Sequence, residues 1–468
     1  MNPEAPAPAA NRWPPQIKYI IGNEAAERFS YYGMVSILMV YITDVLEKSK
    51  DDSAFIIHGF KFFNYFMPLI GAWVSDRFWG RYKTILWISL AYCVGHGVLA
   101  FSDVAGTKEA RTVCLYAGLA LIAFGSGGIK PCVSAFLGDQ FQSNQRHLLQ
   151  KAYAAFYWAI NFGACFSMLI IPQLKNHSWA WAFGVPGILM AVATLIFWLG
   201  TRHYVMVTPA KSTHSAGFFA VLIAAVKNRS AGKGFWDGAK ARYSEAEVRA
   251  AASVGPILSI FALIPVFWAL FDQTHTTWIV QGQKMIPMAL PFGWKLDASA
   301  MQSINPLMVM TLVPLLTLVA YPALGRFASP LKRMSGGFFL AGFSFVVVAW
   351  LQTRVDAGEQ MSILWQALPY LILTTAEVLV STTGLEFAFR EAAASMKSTI
   401  MGFWNLSVAL GNLVVMGITK VLATADGHGS VTPGRFMLYA GMTFVAAILF
   451  TLIAAFYKYN DESAAQGK

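Results

Sequence analysis

Charge is scarce in this sequence. Asp, Glu, Lys and Arg make up only 13% of its 468 residues, against about 25% in a soluble domain. Cysteine is scarcer still. The four cysteines, Cys93, Cys114, Cys132 and Cys165, all lie in apolar stretches without CxxC or metal-ligand spacing. A disulfide scaffold and a thiolate metal site are therefore excluded, which leaves small core residues. No HExxH run occurs either, so neither a metal nor a cofactor is expected. Residues 1–16 lack the apolar core of a cleaved signal peptide and read as a disordered tail. What is plentiful is apolar surface: 56% hydrophobic residues and a mean hydropathy of +0.51. The chain reads as an all-α polytopic membrane protein with little room for a separate soluble domain.

Apolar windows of about 20 residues predict twelve spans, at 17–44, 53–76, 83–103, 112–137, 148–173, 178–201, 252–280, 299–321, 335–354, 362–389, 398–422 and 435–458. The break at 202–251 is basic and rich in turn formers, with one short apolar piece, Phe218 to Val226. It reads as a cytoplasmic linker carrying an interfacial amphipathic helix. The predicted organisation is a six-helix bundle over 17–201, the linker, a second bundle over 252–458 and a tail over 459–468. A net charge of +11 could suggest nucleic-acid binding. Instead, the Lys and Arg crowd one set of loops and both tails, the positive-inside pattern. Both termini are then cytoplasmic, and the basic excess meets lipid headgroups rather than nucleic acid.

Against this apolar background, one helix face stands out. Glu24, Glu27, Arg28, Tyr31 and Tyr32 follow the i, i+3, i+4, i+7, i+8 spacing of a single stripe. Each charge costs about 2.5–3.5 kcal/mol at mid-membrane even on the lenient insertion scale. A lipid-facing helix would not carry three, so the stripe faces other helices or water. Four more segments place polar groups in spans. They are Gly125-Ser126-Gly127-Gly128-Ile129-Lys130-Pro131-Cys132-Val133, Phe156-Tyr157-Trp158-Ala159-Ile160-Asn161-Phe162-Gly163, Phe267-Trp268-Ala269-Leu270-Phe271-Asp272-Gln273, and Glu377 to Phe387 with Ser381 and Gly384.

Between spans 2 and 3, Gly71 to Lys83 resembles the GxxxDRxGR loop of the major facilitator superfamily, with slightly shifted spacing; Asp76 there can accept helix-end or Arg contacts. Its Arg77-Phe78 and Lys83 recur as Arg326-Phe327 and Lys332 at a single offset, a trace of two related halves. With the segments above, the chain resembles the proton-dependent oligopeptide transporter (POT) family over everything but the linker. The resemblance implies two six-helix bundles around a central cavity. It implies a proton-coupled importer of di- and tripeptides working by alternating access in the cell (inner) membrane, as a monomer, with protons as the coupling ion. Some features depart from the bacterial pattern. Two extra spans are missing between the halves, and Val35 stands where many bacterial members have Arg. His58 and the Phe267–Gln273 run resemble the animal members instead.

A small peptide is a zwitterion with its charges a fixed backbone apart. Arg28 and Lys130 offer cations for its carboxylate, Arg bidentately, and Glu377 an anion for its ammonium. Asn161 and Asn305 offer amides, and Pro306 is expected to free a carbonyl and kink span 8. Tyr31, Tyr32, Tyr65, Trp268 and Trp404 are candidates to line side-chain pockets, and Ser381 joins the substrate set by its place in the Glu377 motif. Proton coupling falls to Glu24, Glu27, His58, Asp272 and again Lys130, with His58 facing Asp272 at an outer gate. Lys61, one turn from His58, has three readings: a partner of Glu27, a partner of Asp272, or a side chain reaching the headgroups. Glu386, Arg390 and Lys397 read as inner-gate or helix-end charges.

A structural reading competes at each position: an internal ion pair for Arg28, interhelical bonds for the asparagines, a satisfied core histidine for His58. The rival functions are a POT-fold carrier of another solute, such as nitrate or a small metabolite, and a membrane-embedded enzyme. Ser126 and His96 alone do not make an intramembrane serine protease, so an enzyme is not expected. Twelve spans in two related halves also suit a carrier better than a channel or receptor.

Overall fold

The computed structural model describes residues 12–207, 217–229, 234–325, 329–423 and 429–459. Arg326 and Phe327, the second copy of the loop repeat, lie outside them. The chain is almost wholly helical and divides into two compact units. The first comprises Met1–Pro209, Trp278–Met310 and Gln360–Leu364; the second comprises Ala210–Thr277, Thr311–Glu359 and Trp365–Lys468.

The first unit opens with α1 (Ile17–Val40), α2 (Lys50–Val74), α3 (Gly80–Phe101), α4 (Lys108–Asp139), α5 (Leu149–Leu174) and α6 (Trp179–Leu199). Short polar side chains start these helices. Ser49 accepts from the Asp52 N–H at 3.0 Å, Thr107 from Ala110 at 3.2 Å and Ser178 from Trp181 at 3.3 Å, each satisfying an otherwise orphaned donor. Glycines let the helices touch at backbone distance. A Cβ on Gly127 would lie 2.5 Å from the Asn64 carbonyl oxygen, and one on Gly125 would lie 2.5 Å from the Tyr92 Cβ. The Gly125–Gly128 run is thus the surface by which α4 meets α2 and α3.

In the second unit, α7 (Phe218–Lys227) and α8 (Glu245–Ala252) occupy the stretch between the two sets of spans. Ser244 and Glu247 form a capping box at the start of α8. Next come α9 (Val254–Phe261), α10 (Ile264–Phe271) and α11 (Thr277–Gln283), the last reaching into the first unit. The run Glu245–Gln283 bends by 46° between Phe261 and Ile264, where Pro265 enters at the first turn of α10.

A two-stranded antiparallel hairpin, β1 (Met288–Ala289) and β2 (Lys295–Leu296), follows in the first unit. The remaining helices are α12 (Ile304–Leu315), α13 (Tyr321–Leu324), α14 (Pro330–Asp356), α15 (Ala367–Glu377), α16 (Thr383–Glu391), α17 (Lys397–Val421) and α18 (Pro433–Phe456). Pro306 sits in the first turn of α12, directly after a 3-10 turn at Ala300–Ser303. Proline is tolerated there because first-turn N–H groups have no helical partner.

Nine described helices are long and apolar enough to cross a membrane, and the bent Glu245–Gln283 pair makes a tenth. One of the nine, Lys50–Phe101, contains both α2 and α3. With α1, which carries the charged stripe, the twelve predicted spans are accounted for.

Candidate functional site

On α1 the stripe is turned inward as its spacing predicts. Glu24 is 6% exposed, Glu27 1% and Arg28 4%, so all three charges are withdrawn from the lipid face. They pair with one another. Arg28 Nε lies 3.2 Å from Glu24 and also contacts the Glu27 carboxylate. The Ser126 hydroxyl of α4 donates to Glu27 at 3.1 Å. The internal ion pair left open for Arg28 is thus present, as a triad rather than a pair. Lys130 of α4 lies near enough to act on the Glu24 charge. Two carboxylates and two cations therefore form one electrostatic set.

Aromatic rings border it. The Arg28 guanidinium lies 5.8 Å from the Tyr31 ring centre and the Lys130 ammonium 4.1 Å from that of Tyr65, both within cation–π range. Tyr31 packs edge-on against Tyr32 at 5.2 Å, and Asn64 of α2 donates to the Tyr31 hydroxyl at 3.1 Å. Asn161 of α5 donates to the Tyr157 carbonyl of its own helix at 2.9 Å. Half of its amide is thus committed, and the bond is not interhelical. Asn305 is half-buried at the start of α12. His58 is fully buried and Lys61 is 3% exposed, which removes the headgroup reading of Lys61.

The second unit carries its own cluster. Glu377 is the last residue of α15 and half-buried. It is followed by a π-helical turn, Val378–Thr382, that contains Ser381; such turns often mark functional positions. Trp268 and Trp404 stand edge to face at 6.2 Å. A Cβ on Gly384 would meet the Trp404 ring at 2.8 Å, so only glycine admits that indole. The Trp268 indole N–H is buried without a hydrogen-bond partner. Asp272 accepts from Asn412 of α17 at 2.6 Å. Glu386 lies 3.6 Å from Arg390 and 3.8 Å from Arg333, a helix-end charge cluster, and Lys397 lies over the Phe389 ring.

Sequence reasoning passed over several of these partners. Ser126 was weighed only as a hydrolase serine, yet it bonds Glu27. Asn64 and Asn412 carry no motif signal beyond being polar residues in spans. Arg81, in the resembling loop, pairs with Asp139 of α4 rather than with Asp76. Asp139 lies directly after Gly138, just beyond the Gly125–Val133 run, so that signal was within reach.

A family model described as the POT family matches residues 82–433. Peptide transporter family 1 of Drosophila melanogaster is 37% identical over 74% of this chain and 48% of its own length. Solute carrier family 15 member 2 of Homo sapiens is 34% identical over 82% of this chain and 55% of its own. The chain thus spans about half the length of these relatives. Among solved structures, an auto-inhibited POT family peptide transporter superposes with a TM-score of 0.88 at 37% identity, covering 96% of this chain and 98% of that one. The POT family transporter PepTSo gives 0.87 at 39% identity, covering 95% and 99%. These relatives are transporters, not enzymes.

Proposed function

This chain belongs to the POT family, and from that premise we propose that it is a proton-coupled symporter importing di- and tripeptides by alternating access. The observation that carries the reading is the buried set of Glu24, Glu27 and Arg28 with the half-buried Lys130 beside it. With both carboxylates ionised, the charge of Arg28 is balanced within the set. A proton on either Glu leaves a surplus positive charge, and a peptide carboxylate is the anion that matches it. Proton and peptide then bind better together than apart, which is the thermodynamic requirement for symport.

Glu377, half-buried beside a π-helical turn, is the anion for the peptide ammonium, with Ser381 and Asn305 as neutral partners. Tyr31, Tyr32, Tyr65, Trp268 and Trp404 face side chains whose chemistry varies, and the unpartnered Trp268 N–H is a spare donor for a peptide carbonyl. Asn161 keeps its amide oxygen for a peptide N–H. His58 and Asp272 gate the outer side. The protein works as a monomer in the cell (inner) membrane with both termini in the cytoplasm, and needs no cofactor besides protons.

The test uses liposomes containing only this protein. Di- and tripeptides should accumulate under an inward proton gradient, tetrapeptides should not, and labelled dialanine should exchange in counterflow. Proton-driven uptake of nitrate or another small solute, with no peptide uptake, would replace this reading by that of a different carrier.

A further inference from the structure

A second buried polar group lies beside the charged set. Glu27 and Ser30 are one turn apart on α1, and Tyr92 and His96 one turn apart on α3, so two side-chain pairs share a face on each helix. Ser30 and His96 are both fully buried. The Ser30 hydroxyl donates to the Pro186 carbonyl of α6 at 2.5 Å, and its oxygen lies 3.0 Å from His96 Nε2. A serine has one proton to give, and here it goes to Pro186. His96 must therefore donate from Nε2 to Ser30, which fixes its tautomer. Nδ1 is then a bare nitrogen, buried and without a partner. Gly187 makes room for the ring, since a Cβ there would stand 2.8 Å from His96 Cβ.

The ring tied down in this way stacks on Tyr92, with centres 5.1 Å apart and planes 24° apart. Tyr92 is fully buried, and its phenol is turned to Glu27 and Ser126 without a hydrogen bond of regular geometry. Glu27 is meanwhile held by Arg28 and Ser126. The groups shown beside Glu27 are Glu24 and Arg28 from α1, Tyr92 from α3 and Ser126 from α4, with Lys130 of α4 acting on Glu24.

We infer that His96 is a positioning residue: by donating to Ser30 and stacking on Tyr92, it holds the Tyr92 phenol as the partner Glu27 takes when Arg28 turns to substrate. This rests on Glu27 carrying the transported proton. A hydrogen bond donated to a carboxylate favours its ionised form. Losing the phenol, or the ring that holds it, moves the pH midpoint of uptake upward, by about one pH unit for a bond of ordinary charge-assisted strength.

The experiment measures peptide uptake against external pH in proteoliposomes. Tyr92→Phe, His96→Leu and the double variant should share one raised midpoint, because both changes remove the same contact. His96→Gln, whose amide N–H reaches Ser30, should keep the wild-type midpoint. Ser30→Ala removes the acceptor and should shift in the same direction, which keeps the test decisive if His96→Leu does not reach the membrane. A wild-type midpoint in both His96→Leu and Ser30→Ala, or additive shifts in the double variant, overturns the inference. So does a His96→Gln protein that loses proton-driven uptake while keeping counterflow, since His96 would then carry the proton. Glu27→Gln run alongside separates the two levels: continued accumulation in that variant defeats the coupling role of Glu27 itself.

Discussion

The Lys175 ammonium lies 2.5 Å from the Asp297 carboxylate, although 122 positions separate them in sequence. The contact is one of a set. Just before Lys175, Gln173 pairs with the backbone of Lys295 in both directions, donating to its carbonyl at 2.8 Å and accepting from its N–H at 3.0 Å. An amide side chain thus acts as a short third strand beside the β1–β2 hairpin. Asp297 also accepts from the Ala300 N–H at 2.9 Å, and Gln302 donates to the Ser36 carbonyl at 3.0 Å. Together these bonds join the end of α5 and the middle of α1 to a segment from the sequence's second half.

If the protein works by alternating access as proposed, that junction is expected to part in each cycle. Cysteines at Lys175 and Asp297, oxidised across the observed contact, should stop peptide uptake, and reduction should restore it. Each single-cysteine protein should transport under both conditions. Uptake that continues in the cross-linked protein would mean that α5 and the hairpin segment travel together throughout the cycle.

Blocking either end of the substrate should weaken binding. In the proposed reading Arg28 and Lys130 answer the carboxylate and Glu377 the ammonium, and truncating one partner of a buried charge pair costs about 2–5 kcal/mol. N-acetylated and C-amidated dialanine are therefore expected to compete at least tenfold more weakly than free dialanine. Equal competition by all three would remove the charge clamp and leave the aromatic residues as the main contacts.

Glu27→Gln should separate coupling from exchange. The variant keeps the shape of the side chain but cannot cycle a proton, and one charge crossing the membrane is worth about 2.3 kcal/mol per 100 mV. Accumulation against a peptide gradient should be lost while counterflow, which needs no net proton movement, persists. The paired readout matters because a misfolded variant would lose both.

Much of the chain was legible before its structure, and the reason is physical. In a membrane, apolar length and the cost of buried charge constrain a helix so tightly that the stripe on α1 had to turn inward, and it does. Lys130 beside the Gly125–Gly128 run could be placed near other helices because glycines admit close neighbours. What sequence did not reveal is which polar groups meet across helices. Ser126 finding Glu27, and Asn412 finding Asp272, depend on helix rotation and register, and neither leaves a periodic signal. The Lys175–Asp297 pair was hidden for the same reason: it joins two helix-end segments far apart in sequence.

The glycine surface of α4 should tolerate no side chain. Gly127 packs against the α2 backbone, where an added Cβ would lie 2.5 Å from the Asn64 carbonyl oxygen and 2.6 Å from the Met67 Cβ. Backbone cannot rotate aside as a side chain can, so Gly127→Ala must push α4 from α2, at about 1–3 kcal/mol for overpacking of this kind. Asn64 lies on that contact and also holds the Tyr31 hydroxyl, so the displacement should reach the substrate site. The variant is expected to unfold at lower temperature in detergent and to bind peptide more weakly. Gly97, with open space around its Cβ position, supplies the control: Gly97→Ala should leave both quantities near wild type. Should Gly127→Ala match Gly97→Ala in both measurements, α4 and α2 are not in the close contact described, and the placement of Lys130 and Ser126 beside α1 would have to be revised with it.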